Sequence, residues 1–135
     1  MKIGTELDEL VAMMVMGENK PTIDHGDVHL THIPESEKGY WQCFNIYDHG
    51  DKCEWFPLPF STDLNATKLV INKITERFKH IHISYGGENK WLVSFYIING
   101  ANDLTLISAS ASTIGEAVCK AAIQVKWGFF DVVIS

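Results

Sequence analysis

The run from Lys90 to Ile98 sets the strongest constraint on how this chain can fold. Trp91, Val93, Phe95 and Ile97 alternate with Leu92, Tyr96 and Ile98, so both faces are apolar, which marks a central strand. Gly86-Gly87-Glu88-Asn89 precedes the run and Asn99-Gly100 follows it; both are turn-forming sequences. On one side, Lys79 to Tyr85 alternates Ile81, Ile83 and Tyr85 against His80, His82 and Ser84; on the other, Leu104 to Ala111 supplies a further strand. Three antiparallel strands in a meander are expected.

Helical spacing brackets this meander. Thr113 and Glu116 form a T-x-x-E capping box, and Ile114, Ala117, Val118, Ala121, Ala122 and Val125 follow as a face of small residues. That face can approach a sheet or another helix closely, and Gly128 is expected to end the helix. Upstream, Ser61 and Thr62 can each cap a helix with Asp63 in its first turn. Leu64, Leu69, Val70, Ile74 and Phe78 would supply its buried stripe, to about Phe78. Near the start, Thr5 opens a helix with Leu7, Leu10, Val11 and Met14 at i, i+3, i+4, i+7, widened by Met13 and Met16. Gly17 stops it and Pro21 prevents its resumption.

Residues 22–60 read as strands and turns. Val28 and Leu30 alternate with His29 and Thr31, and the strand from Tyr40 to Tyr47 pairs back on Cys53 to Phe56 around Asp48-His49-Gly50-Asp51. Pro57 and Pro59 are expected to end that pairing, because proline donates nothing to a ladder. The order α-β-β-β-α-β-β-β-α makes the class α+β, an α-β-α sandwich with mainly antiparallel sheet and three helices. One domain over 1–135 is expected, its core about 5–127. The apolar tail 128–135 reads either as a final edge strand or as an arm for another subunit.

Composition narrows the partners. Seventeen acidic residues against eleven basic ones give a net charge of −6, the wrong balance for displacing counterions from DNA or RNA. No segment reaches the roughly 18–20 apolar residues that span a bilayer. The acidic opening does not read as a secretory signal. Cys43, Cys53 and Cys119 form no short-range pair, which suits reduced thiols in a cytoplasm.

Three segments carry a family resemblance. Glu6-Leu7-Asp8-Glu9-Leu10-Val11-Ala12 with Val15-Met16-Gly17, then Pro59-Phe60-Ser61-Thr62-Asp63, then Ala109 to Thr113 through Glu116 to Ala122 resemble, in order, segments of the phage ABA sandwich domain family. The chain departs from the family pattern in a longer insert at 22–56 and in the tail after Trp127. The resemblance implies a phage or prophage origin and an α-β-α sandwich, and it carries no reaction and no catalytic residue.

Candidate chemistry is scattered. Free N–H groups and hydroxyls at Ser61 and Thr62, and again at Ser112 and Thr113, can receive an anion at a helix start. Asp63 and Glu116 already occupy those positive ends. Trp41, Trp55, Phe56 and Phe60 can stack on a base, or simply belong to the core. Asp24-His25-Gly26-Asp27 recurs as Asp48-His49-Gly50-Asp51, which can bind metal or make ordinary turns. His80 and His82 share a strand face without a local third ligand, as on a solvated sheet face. Cys119 reads as a small core residue. No P-loop, G-x-S-x-G or H-E-x-x-H occurs, and no cofactor or catalytic residue is assigned.

The first functional expectation is therefore a non-enzymatic, oligomeric phage accessory protein in the host cytoplasm. It would hold a nucleotide-like host defence signal at Trp41, Trp55, Phe60, Ser61, Thr62, Ser112 and Thr113. The alternative is a protein that inhibits or adapts a host factor through its surface. A metal-dependent hydrolase built on the Asp-His-Gly-Asp segments comes third.

Overall fold

The small-residue face foreseen on the last helix sits at the centre of the molecule. In a computed structural model, which describes residues 5–21, 36–46, 52–98 and 104–131, α3 spans Ile114–Asp131. Ala117, Val118, Ala121 and Ala122 have no solvent exposure. Small side chains at these positions let α3 pack against a sheet on one side and against two other helices on the other. The helix passes through Gly128 instead of ending there. A glycine costs a helix only about 1 kcal/mol, and no proline follows it to force a stop. Residues 129–131 are therefore helical, not an edge strand; 132–135 lie outside the described residues.

The sheet beneath α3 is the expected meander. β3 (His80–Tyr85), β4 (Trp91–Ile98) and β5 (Leu104–Ala111) pair antiparallel in the order β3-β4-β5, so β4 is central. Across it, His80, Tyr96 and Leu106 are in register, as are His82, Ser94 and Ser108. Val93, Phe95, Ile107 and Ala109 face α3 and are buried. The β3–β4 turn uses three left-handed residues, Gly87, Glu88 and Asn89, and the Tyr85 hydroxyl accepts from the Asn89 N–H.

A second antiparallel pair, β1 (Trp41–Ile46) and β2 (Lys52–Pro57), forms the other sheet, with Cys43 opposite Trp55. Trp41 and Cys43 are buried and Gln42 between them is exposed, as strand alternation requires. Pairing runs further than expected: Pro57 stands opposite Trp41, and the Leu58 N–H still donates to the Tyr40 carbonyl. Proline is tolerated at such a strand end because its missing N–H interrupts nothing beyond it. The class is α+β, with three helices and two antiparallel sheets among the described residues.

Two helices depart in detail from their sequence reading. α1 (Thr5–Leu10) continues as a π-helical turn over Val11–Val15, closed by the Met16 N–H on the Val11 carbonyl. The wider turn carries Ala12, Val15 and Met16 into the core and leaves Met14 half-exposed. Gly17 then takes a φ of +78°, which lets the Glu18 N–H reach back to the Ala12 carbonyl.

α2 is Leu64–Thr75, and its cap is Asp63, whose side chain accepts from the Asn65 N–H. Ser61 and Thr62 belong to the preceding turn, so the helix begins later than expected. That phase turns Leu64 and Leu69 outward and buries Ala66, Thr67, Val70 and Ile74. Thr67 tolerates burial because its hydroxyl donates to the Phe60 and Asp63 carbonyls. The strand at Val28–Thr31, both Asp-His-Gly-Asp segments and the Asn99-Gly100 turn lie outside the described residues.

Candidate binding face

The two helix starts singled out from sequence meet in space. A Cβ built on Gly115, in the first turn of α3, would lie 2.4 Å from the Ser61 carbonyl oxygen and 3.1 Å from the Thr67 hydroxyl. α1 reaches the same junction, where Asp8 Oδ1 accepts the Ser61 N–H at 2.8 Å. One backbone donor at each start is already engaged, while the Ser61 hydroxyl is buried without a hydrogen-bond partner among the described residues. Asp63 caps α2, and Thr113 Oγ1 accepts the Glu116 N–H at 3.2 Å on α3. Glu116 is itself buried and holds the Ser112 hydroxyl at 3.2 Å and the Lys120 ammonium at 2.9 Å.

The aromatic residues of the expected site lie inside the protein. Trp41, Trp55 and Phe60 are all buried, and Trp41 Nε1 donates to the Glu18 carbonyl. Thr62, Ser112 and Thr113 are exposed. The structure thus joins Ser61 to the start of α3 but sets the three rings in the hydrophobic core.

Two acids flank a thiol at this junction. Burial pushes the Cys119 thiol well above its usual range, and the nearby Asp8 and Glu116 carboxylates add to the shift. A thiol held protonated in this way is inert. Burial also raises the Asp8 carboxyl, opposed by hydrogen bonding from Ser61. The sign of the pH effect follows. The folded state binds the Asp8 proton more tightly than the unfolded state, so this group favours folding at acid pH. Its contribution declines as pH rises through and above the ordinary carboxylate range. Asp8→Asn should flatten that slope in urea unfolding measured across pH, since the amide oxygen can still accept the Ser61 N–H. An unchanged slope would assign the pH dependence to another group.

Sequence reasoning passed over Glu18. Its carboxylate is buried and accepts from the Ser36 hydroxyl (2.9 Å), the Lys38 N–H (2.6 Å) and the Tyr40 N–H (3.0 Å). Lys38 Nζ returns a bond to the Gly17 carbonyl, and the Trp41 N–H donates to Ser36 Oγ. Nothing in the local sequence announces this anchor, because its partners stand eighteen to twenty-two positions away.

On the α3 side Ile83 and Tyr85 are exposed at the β3 edge, and among the described residues the other face of the meander is left open as well. β3 contributes His80, His82 and Ser84; β4 contributes Leu92, Ser94, Tyr96 and Ile98; β5 contributes Leu104, Leu106, Ser108 and Ser110. Leu92, Ile98, Leu104 and Leu106 are exposed to 40%, 60%, 58% and 48%. The centrality of β4 was legible in its apolar pattern, but that pattern does not bury its second face. His80 and His82 are exposed here, as a solvated sheet face requires, and His80 stacks on Tyr96 at 4.9 Å.

His82, Ser94, Tyr96, Leu104 and Leu106 line a shallow concavity of about 280 Å³. The Ser94 and Ser108 hydroxyls bond one another at 2.7 Å. Among the described residues no group of three metal-ligating side chains gathers, and no helix is long and apolar enough to cross a membrane. No family model, curated protein or solved structure matches this chain.

Proposed function

We propose that this protein works by contact with another protein through the open face of the β3-β4-β5 sheet. One observation carries this reading. Four aliphatic side chains stand 40–60% exposed on a single sheet face, and among the described residues no Asp, Glu, Lys or Arg stands with them there. Three of them, Ile98, Leu104 and Leu106, adjoin at one end of the face, and contiguous exposed apolar surface of this kind is characteristic of interaction sites. The resemblance to phage ABA sandwich proteins supplies the setting: an accessory protein in the host cytoplasm that inhibits or adapts a protein target. Burial of Cys43 and Cys119 fits a compartment where thiols stay reduced.

In-cell photo-crosslinking tests the reading. A photoreactive residue at Leu106 should trap a protein adduct identifiable by mass spectrometry. The same probe at Leu64, which is 64% exposed on α2, should trap none. Equal labelling from both positions, or none from either, would remove the assignment.

The concavity beside Tyr96 favours a second reading, capture of a small planar ligand such as a nucleotide-derived defence signal. Its volume falls just below the roughly 300 Å³ at which ligand pockets begin, so protein contact ranks first. Denaturing protein recovered from cells with an active nucleotide-signalling defence should release no intact nucleotide. A stoichiometric nucleotide in that fraction would shift the assignment to sequestration.

A further inference from the structure

We infer that the occupant of the open sheet face is a second copy of this chain, an inference that rests on reading the face as a contact surface. Charge is the first argument. Each chain carries −6, so two copies repel at long range, and the contact that adds least to that cost is one that brings no like charges together. Among its described residues the open face carries no Asp, Glu, Lys or Arg, whereas the exposed side of α2 carries Lys68, Lys73 and Glu76. A nucleic acid or other polyanion would need Lys or Arg on this surface, and a basic partner would need Asp or Glu. An identical neutral face needs neither.

The order of residues on the face is the second argument. Register divides it into rows across the strands. Ile98 stands beside Leu104, and His80, Tyr96 and Leu106 form the next row, so three of the four exposed aliphatic side chains gather at one end, with Leu92 at the other between Ser84 and Ser110. His82, Ser94 and Ser108 make a polar row in the middle. A two-fold axis running parallel to β4 lays each row on its own counterpart. Apolar rows then meet apolar rows, and His82 of each copy faces the hydroxyl row of the other. An axis across the strands would instead set the apolar end against the row of Ser84, Leu92 and Ser110, where two of the three side chains are hydroxyls. Aligned packing of two sheets about 10 Å apart is a standard arrangement for such faces. The Ser94–Ser108 hydrogen bond already satisfies one donor of the central pair, which lowers the cost of drying it.

Size sets the expected strength. Three strands of six to eight residues make a face of roughly 14 by 26 Å. Two such faces bury on the order of 1,000 Å², near the lower edge of specific interfaces. A reversible dimer follows, with a dissociation constant on the order of micromolar.

Sedimentation equilibrium and native mass spectrometry of the full chain test this. The wild type should be dimeric at about 100 µM and dissociate on dilution through the low micromolar range. Leu106→Asp and, separately, Ile98→Asp bring a carboxylate into the contact and should weaken association by about 100-fold or more. Their circular dichroism should stay that of the wild type, and Leu64→Asp should leave the dimer intact. A wild type still monomeric at about 100 µM overturns the inference, as does a dimer that neither face substitution disturbs. If the crosslink from Leu106 then identifies a different protein, the second copy is rejected and the contact face stands. If it identifies none, both fall.

Discussion

Glu18→Ala should destabilise the protein by about 4 kcal/mol, read as a lower urea midpoint with little change in the denaturant slope. The substitution strands three donors at once: the Ser36 hydroxyl and the Lys38 and Tyr40 N–H groups all point at the lost carboxylate. Hydrogen bonds to a charged acceptor contribute about 1.5–3 kcal/mol each, and water entering the space left behind recovers part of the loss. Glu18→Gln keeps the size and one acceptor oxygen but turns an N–H₂ group toward donors. It should lose about half as much. A loss below about 1 kcal/mol for alanine would mean that the turn at 36–40 stands without its anchor.

Gly115→Ala should cost about 3 kcal/mol, although alanine is the better helix former by about 1 kcal/mol. The added methyl would sit 2.4 Å from the Ser61 carbonyl oxygen and 2.9 Å from its carbon. These are backbone atoms, so no rotamer change can relieve the clash. Either α3 moves off the turn before α2, or that turn moves and strains the bond from Ser61 N–H to Asp8. Thermal unfolding read by circular dichroism measures the loss. A variant as stable as the wild type would show that the two helix starts are less closely packed than this junction requires.

Much of the fold was legible because local chemistry decided it. The T-x-x-E box located the start of α3, and its alanines announced a closely packed helix. The doubly apolar run at 91–98 located the central strand. Phase was harder to read. Leu64 and Leu69 look like core residues, yet Asp63 caps α2 and turns Thr67 inward in their place. Only the close approach of Gly115, forty-eight positions further along the chain, explains why a small polar side chain is preferred there.

The open face shows the same limit. Leu92, Tyr96 and Ile98 looked buried when β4 was read alone. His80, His82, Ser108 and Ser110 on the neighbouring strands share their face, and that polar company was the available sign that α3 covers only the other side. The aromatic residues were visible as aromatics, but sequence does not show that Trp41 and Phe60 point inward. The Glu18 anchor was illegible for a different reason, since a buried carboxylate is defined by donors that only folding brings to it.

That anchor also has a place in the order of folding. The Glu18 carboxylate and its donors stand eighteen to twenty-two positions apart in sequence, so none of the three bonds can help to start folding. The two ends of that span must first meet and offset their closure entropy. Once they have met, one carboxylate holds the end of the first helix against the turn at 36–40. The Lys38 and Tyr40 amides then gain protection from hydrogen exchange together, and lose it together.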